Sequence, residues 1–314
     1  MKRIVTIAGV LSFVLVSALL FAQEPGRDGA RGAGARGANS QTGQGERGNG
    51  AGGARGGRGN QGKAENVPAG LFTEKRFATM PTQRHEIVDI PAGSAKLHTW
   101  ISYPPGEDKA GVVVLLAHEP GLDYWMRAAA DQVAHDGFIA VATDVLTGKG
   151  PNGGGTDAFD FPDEAIRADA KVTAAEALRD YKAALDYGMK LPRANGKSAF
   201  LGFSIGGTHA YRLAANTPSV GALVIFYAGA PGDDLLGKIN APVLGLYGDL
   251  DSQVTPAAVQ ATADTMKRLG KSFDSGVYPH ATNFFLIYQD MAQNGMATQM
   301  AWPRAMTFLR DHLQ

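Results

Sequence analysis

The feature that most restricts the fold is a series of short, unbroken apolar runs, "GVVVLLAH", "FIAVATDVL", "SAFLGFS", "VGALVIFYAG" and "APVLGLYGD", spread over residues 111–249. A strand with one solvated face alternates polar and apolar side chains, whereas these runs stay apolar and so read as strands covered on both faces. Stretches of helical spacing separate them. Tyr124 to His135 reads as a helix ending before Gly137, Ala168 to Met189 as one long helix, and a final helix runs from about Ala297 to Leu313. Further helices follow Ser204 and the "YGD" segment. "HEIVDI" and "LHTWISY" read as two edge strands, and "SGVYP" as a strand before the final helix. Strands alternating with helices predict an α/β class fold, with right-handed crossovers and a mostly parallel central sheet carrying helices on both faces. Functional groups are then expected at the carboxyl ends of the strands.

The N-terminal part of the 314 residues has a different texture. Lys2 and Arg3 precede a charge-free apolar run from Ile4 to Ala22, the pattern of a secretory signal peptide cleaved after Ala22. The alternative is an uncleaved signal anchor, which would make the membrane a partner. Residues 23–66 hold much of the chain's unusual total of 41 glycines, with arginines and few large side chains. Such a segment buries too little to offset its ordering entropy and is expected to be a disordered tether. Its glycines lack the strict every-third spacing of collagen, and it lacks aromatics for base stacking. Thirty Lys and Arg balance thirty Asp and Glu, so no global charge favours nucleic acid or an anionic surface. The absence of cysteine excludes disulfides, thiolate metal sites, a lipoprotein anchor and a cysteine nucleophile. The expected organisation is a signal peptide over 1–22, a Gly/Arg-rich linker over 23–66 and one α/β domain over 67–314. The expected location is periplasmic or extracellular.

Chemistry is signalled by "AFLGFSIGG", where Gly202-x-Ser204-x-Gly206 follows a predicted strand and opens a helix. In that context the glycines allow a sharp turn that presents Ser204 as a nucleophile. A serine hydroxyl needs a base, and the partners of such a serine follow in the order acid, then histidine. "LYGDLDSQV" places Asp249 and Asp251 just past a buried strand; Asp251, farther into the loop, is the expected acid. The histidines in reach of this scheme are His280, His118 at the end of a central strand, and His209 on the helix leaving the turn, the last being poorly placed.

From "GVVVLLAHEPGL" through "GFIAVATDVLTGKGPNGGG", "GFSIGG", "YGDLDSQV", "VYPHATNFF" and "AWPRAMTFL", about Glu86 to Leu313, the chain resembles the dienelactone hydrolase family. The resemblance implies an α/β-hydrolase fold that acts on ester or lactone bonds, with no cofactor and no metal. The family's nucleophile is usually cysteine in a G-x-C-x-G-G turn, and Ser204 stands at that position. Its histidine lies in a Y-x-x-x-x-H-x-F segment, and here that segment runs Tyr278-Pro-His-Ala-Thr-Asn283-Phe-Phe285. Asn283 therefore occupies the histidine's place, and an amide takes no proton near neutral pH. His280 lies three residues earlier, about 10 Å away along an extended chain, and reaches the site only through a shifted loop path. The family also has a glutamate after the central strand. Either Glu119 matches it with one loop residue deleted, or His118 matches it without a gap and Glu119 supplies a backbone donor. One oxyanion donor is expected from Ile205 N–H and the other from the Glu119 region, because Pro120 has no N–H. "GKGPNGGG" lacks the Lys-Ser/Thr ending of a phosphate cradle and reads as a loop near the pocket.

These features predict an exported serine hydrolase acting on a small-molecule ester or lactone, with nucleic acid not expected as a partner. The alternative is a hydrolase-fold protein that lost its base and binds a small ligand. If the Ile4–Ala22 run is a cleaved signal, amino-terminal sequencing of exported protein will read from about Gln23; a retained Met1 would show an anchor instead.

Overall fold

The computed structural model describes residues 84–314; the expected signal peptide, the linker and the domain boundary at residue 67 lie outside the described residues. The elements are β1 (His85–Ala92), β2 (Ala95–Ser102), β3 (Ala110–Leu116), α1 (Tyr124–His135), β4 (Ile139–Thr143), α2 (Pro162–Asp169), α3 (Ala174–Gly188) and β5 (Ala194–Phe203). They continue with α4 (Ile205–Ala215), β6 (Ala222–Phe226), α5 (Asp233–Leu236), β7 (Val243–Gly248), α6 (Pro256–Arg268), β8 (Phe273–Tyr278) and α7 (Asn294–Leu313).

These strands form one eight-stranded sheet in the order β1-β2-β4-β3-β5-β6-β7-β8. β1, β2 and β4 pair antiparallel, and every pairing from β4 through β3 to β8 is parallel. The fold is that of an α/β hydrolase. Because β3 is followed by β4 on one side and by β5 on the other, the strand order reverses at β3. In an open parallel sheet the crevice beyond the strands' carboxyl ends at such a reversal is where ligands bind.

The apolar runs are explained by two cores. Val113, Leu115, Leu201, Phe203, Val224 and Phe226 point to a face covered by α1 and α7, with Trp125 and Trp302 fully enclosed. Their neighbours Val112, Val114, Phe200, Leu223 and Ile225 point to the other face, under α3 and α4, where Tyr181 and Tyr211 pack. Alternation between two buried faces explains why these runs lack the polar–apolar period of a half-solvated strand.

Three sequence expectations are corrected. "LHTWISY" is not an edge strand: β2 pairs with β1 on one side and β4 on the other. The final helix begins three residues early, at Asn294. The long helix expected over Ala168–Met189 is two helices, α2 and α3, because Thr173 adopts an extended ψ of 154° and starts a new one. The Thr173 hydroxyl accepts from Glu176 N–H at 3.2 Å and the Glu176 carboxylate accepts from Thr173 N–H at 2.9 Å. This reciprocal box satisfies two donors at the start of α3, and the T-x-x-E spelling was its signal in the sequence. Thr173→Ala is expected to cost about 1 kcal/mol and to lower the melting temperature by roughly 2–4 °C, measured by circular dichroism.

Candidate active site

Ser204 sits between β5 and α4 with φ 51° and ψ −122°, a left-handed conformation that a side chain normally avoids. What holds it there is the close approach of three backbones. A Cβ at Gly206 would lie 2.1 Å from Leu116 O and 2.4 Å from Ala117 O; one at Gly202 would lie 2.6 Å from Gly207 Cα; one at Gly207 would lie 2.5 Å from Ala228 Cβ. The "GFSIGG" spelling is therefore a steric requirement, since only hydrogen fits at these three positions. Ser204 N–H donates to Phe226 O at 3.1 Å, tying the turn to β6. Ile205 N–H, at the first position of α4, donates to no described group and is free to hold developing negative charge.

Asp251 is buried in the loop after β7. Its Oδ1 accepts from Gln253 N–H at 2.8 Å and Val254 N–H at 3.0 Å. The structure brings Asn283 to this carboxylate: Asn283 Nδ2 donates to Asp251 Oδ1 at 3.4 Å, the place where a histidine ring would stand in a triad. The loop that carries Asn283 is pinned from two directions. A Cβ at Gly248 would lie 2.2 Å from Ala281 O, and Leu250 N–H donates to that same carbonyl at 2.9 Å. On the other side the fully buried Asn294 accepts from Thr282 N–H at 2.8 Å and donates to Thr282 Oγ1 and Tyr288 O, each at 2.8 Å. Sequence reasoning missed Asn294, because nothing local in "NGMAT" separates a loop-organising amide from an ordinary helix start.

His280 takes a left-handed backbone, φ 56°, on the exposed part of that loop, and its ring makes no hydrogen bond or ion pair with any described residue. The structure does not bring it to Asp251. His209 is buried on α4 against Tyr181, at 6.3 Å between ring centroids. Burial, with Arg212 adding to it, lowers its pKa to about 4, so it stays neutral at neutral pH.

His118 and Glu119 leave the carboxyl end of β3. His118 is buried, its ring edge-on to Trp125 at 5.3 Å and to Phe284 at 6.3 Å, with Nε2 3.4 Å from Asp123 Oδ1. That separation is ion-pair reach without the alignment of a hydrogen bond, and Nε2 has no hydrogen-bond partner. Glu119 Oε2, Tyr227 OH, Asp251 Oδ2 and Asn283 Oδ1 are likewise buried without one. Glu119 N–H donates to no described group. Buried polar atoms are normally paired, so these five are candidates for contact with a ligand. Tyr227 and Phe284, 5.3 Å apart, and Tyr288 supply aromatic surface. Among the described residues no three His, Asp or Glu side chains gather as a metal ion would require.

Behind Glu119, Asp169 closes α2. Burial first, then the Glu119 charge, pushes its carboxyl up to about 7, with His118 acting in the opposite direction. The folded protein thus holds this proton to about pH 7, whereas an unfolded chain releases it near 3.8. As pH rises between those values this group erodes stability by up to about 1.4 kcal/mol per pH unit. Asp169→Asn is expected to melt higher than wild type at pH 8 and to match it near pH 4, by thermal melts across that range.

A family model described as the dienelactone hydrolase family matches residues 97–313. A Salmonella typhimurium protein named "Putative carboxymethylenebutenolidase" is 26% identical over 238 residues, 69% of this chain and 85% of that one. The fold is shared with a Klebsiella pneumoniae structure, "Putative Dienelactone Hydrolase", at a TM-score of 0.65 and 19% identity, covering 73% of this chain and 99% of that one. A dienelactone hydrolase-like promiscuous phosphotriesterase from metagenomic libraries gives a TM-score of 0.59 at 23% identity, over 74% of this chain and all of its own. With its strand order, its glycine-bounded turn and the family match running from β2 to the end of α7, the chain belongs to the dienelactone hydrolase family.

Proposed function

We propose that this chain is an exported hydrolase of ester or lactone bonds that uses Ser204 as its nucleophile. The observation that carries the reading is the strained Ser204 conformation beside the unengaged Ile205 N–H. A left-handed serine is costly unless the surroundings over-determine it, and here three glycine contacts do so. Attack by Ser204 Oγ on a carbonyl carbon drives charge onto the carbonyl oxygen. Ile205 N–H and Glu119 N–H are the donors assigned to that oxygen, one from each side of the β3–β5 crevice. Tyr227, Phe284 and Tyr288 form an apolar wall suited to the non-reacting part of a small substrate. Export rests on the charge-free run Ile4–Ala22 after Lys2 and Arg3.

The Asp251–Asn283 hydrogen bond supports the competing reading, a ligand-binding protein without turnover. Asn283 holds its place by donating to the acid but takes no proton, so the pair orients nothing that reacts. Reaction with a fluorophosphonate separates the two readings. Wild type is expected to gain the probe's mass on Ser204 and to hydrolyse small activated esters, while Ser204→Ala does neither and stays folded. His280→Ala is expected to leave both properties unchanged, since His280 is exposed and makes no hydrogen bond to Asp251. An unlabelled wild type with no ester turnover favours the binding protein.

A further inference from the structure

We infer that His118, with Asp123 in ion-pair reach of its Nε2, is the general base for Ser204, so that proton transfer is served from the β3 end of the crevice and the Asp251–Asn283 pair is left structural. The inference rests on the reading of Ser204 as nucleophile. It starts from register. β3 and β5 are adjacent parallel strands with Leu116 opposite Gly202, so His118 and Ser204 each lie two residues beyond a paired position. Neighbouring strands are about 4.8 Å apart, so the turns that follow β3 and β5 and carry His118 and Ser204 are neighbours at the strand-order reversal. The turn is also seated directly on the backbone before His118, because Gly206 abuts the Leu116 and Ala117 carbonyls.

The second observation is the carboxylate. A histidine base needs a partner that fixes its ring and stabilises the imidazolium, and Asp123 Oδ1 stands 3.4 Å from His118 Nε2. Asp123 is itself fixed as the N-cap of α1, where Oδ1 accepts from Met126 N–H at 2.8 Å. Trp125 and Phe284 hold the ring edge-on, and Phe284 follows Asn283, so the loop that lost the histidine packs against the histidine that remains. With Nε2 turned to Asp123, Nδ1 is the nitrogen left to accept a proton.

The step balances without a co-reactant other than water. Nδ1 takes the Ser204 Oγ proton as Oγ bonds to the carbonyl carbon, and Asp123 stabilises the imidazolium. The proton passes to the leaving oxygen as the ester or lactone bond breaks. Nδ1 then takes a proton from water, whose oxygen attacks the acyl group, and Ser204 recovers its proton as the acid leaves.

The groups facing His118 that titrate are Asp123 from α1, Glu119 beside it and Asp169 from the end of α2. Because Asp169 titrates near pH 7, a pH profile alone does not identify the base. Chemical rescue does. In protein with residues 84–314 intact and the full chain present, His118→Ala is expected to lower Ser204-dependent ester turnover about 10²–10⁴-fold, and added imidazole to restore part of it in proportion to its concentration. Imidazole is expected to do nothing for Ser204→Ala. Asp123→Asn keeps an N-cap for α1 while removing the charge, and is expected to lower turnover by up to about 10⁴-fold. If His118→Ala does not fold, His118→Gln supplies the same comparison. A folded His118 variant that retains full Ser204-dependent turnover overturns the inference and leaves the nucleophile standing. So does an Asn283→His variant that gains about 10²–10⁴-fold while His118→Ala changes nothing. A wild type with no Ser204-dependent labelling or turnover fails the nucleophile itself.

Discussion

The contact on which the site depends is that between Gly206 and the carbonyls of Leu116 and Ala117. With 2.1 and 2.4 Å available to a hypothetical Cβ, α4 is drawn against β3 as closely as a backbone permits. This approach forces the chain to leave β5 through a left-handed residue, and Ser204 is that residue. It also fixes the first N–H of α4 beside the end of β3, so the Ser204 turn, the Ile205 N–H and the His118–Glu119 pair come from one packing constraint. The two-sided core makes the constraint rigid, because Leu116 and Phe203 on the flanking strands are fully buried. Close-packed interiors leave little slack for a turn to relax.

The far side of the crevice is built differently. Asp251 is anchored by two backbone N–H groups, and Asn283 by a loop clamped between Gly248 and Asn294. This is the acid-plus-loop geometry of a triad with an amide as its third member. Asn283 donates to Asp251 and so ties the loop to the carboxylate. The clamp fixes Ala281 and Thr282, and His280 beside them is exposed.

Charge in the crevice is concentrated on the β3 side. His118 stands 3.4 Å from Asp123, and burial together with the Glu119 charge raises the Asp169 carboxyl nearby. Such perturbed groups gather at functional sites because the same burial that raises a carboxyl strengthens every charge interaction nearby.

Much of this was legible in the sequence. Period-free apolar runs determined a sheet buried on both faces, the family motifs determined the α/β-hydrolase fold, and "GFSIGG" in strand-to-helix context determined the turn at Ser204. Those signals are local: they depend on which side chains a few consecutive residues carry. The break between α2 and α3 was also local, in the T-x-x-E box, but periodicity alone reads across it. What only the tertiary structure decided is which distant groups meet. It put Asn283 on Asp251, left His280 exposed, closed the loop with Asn294 and set His118 beside Asp123. Sequence spacing cannot supply this, because turns as far apart in the chain as those at Leu116 and Gly206 are brought together by strand register, and register is fixed by the packing of the whole sheet.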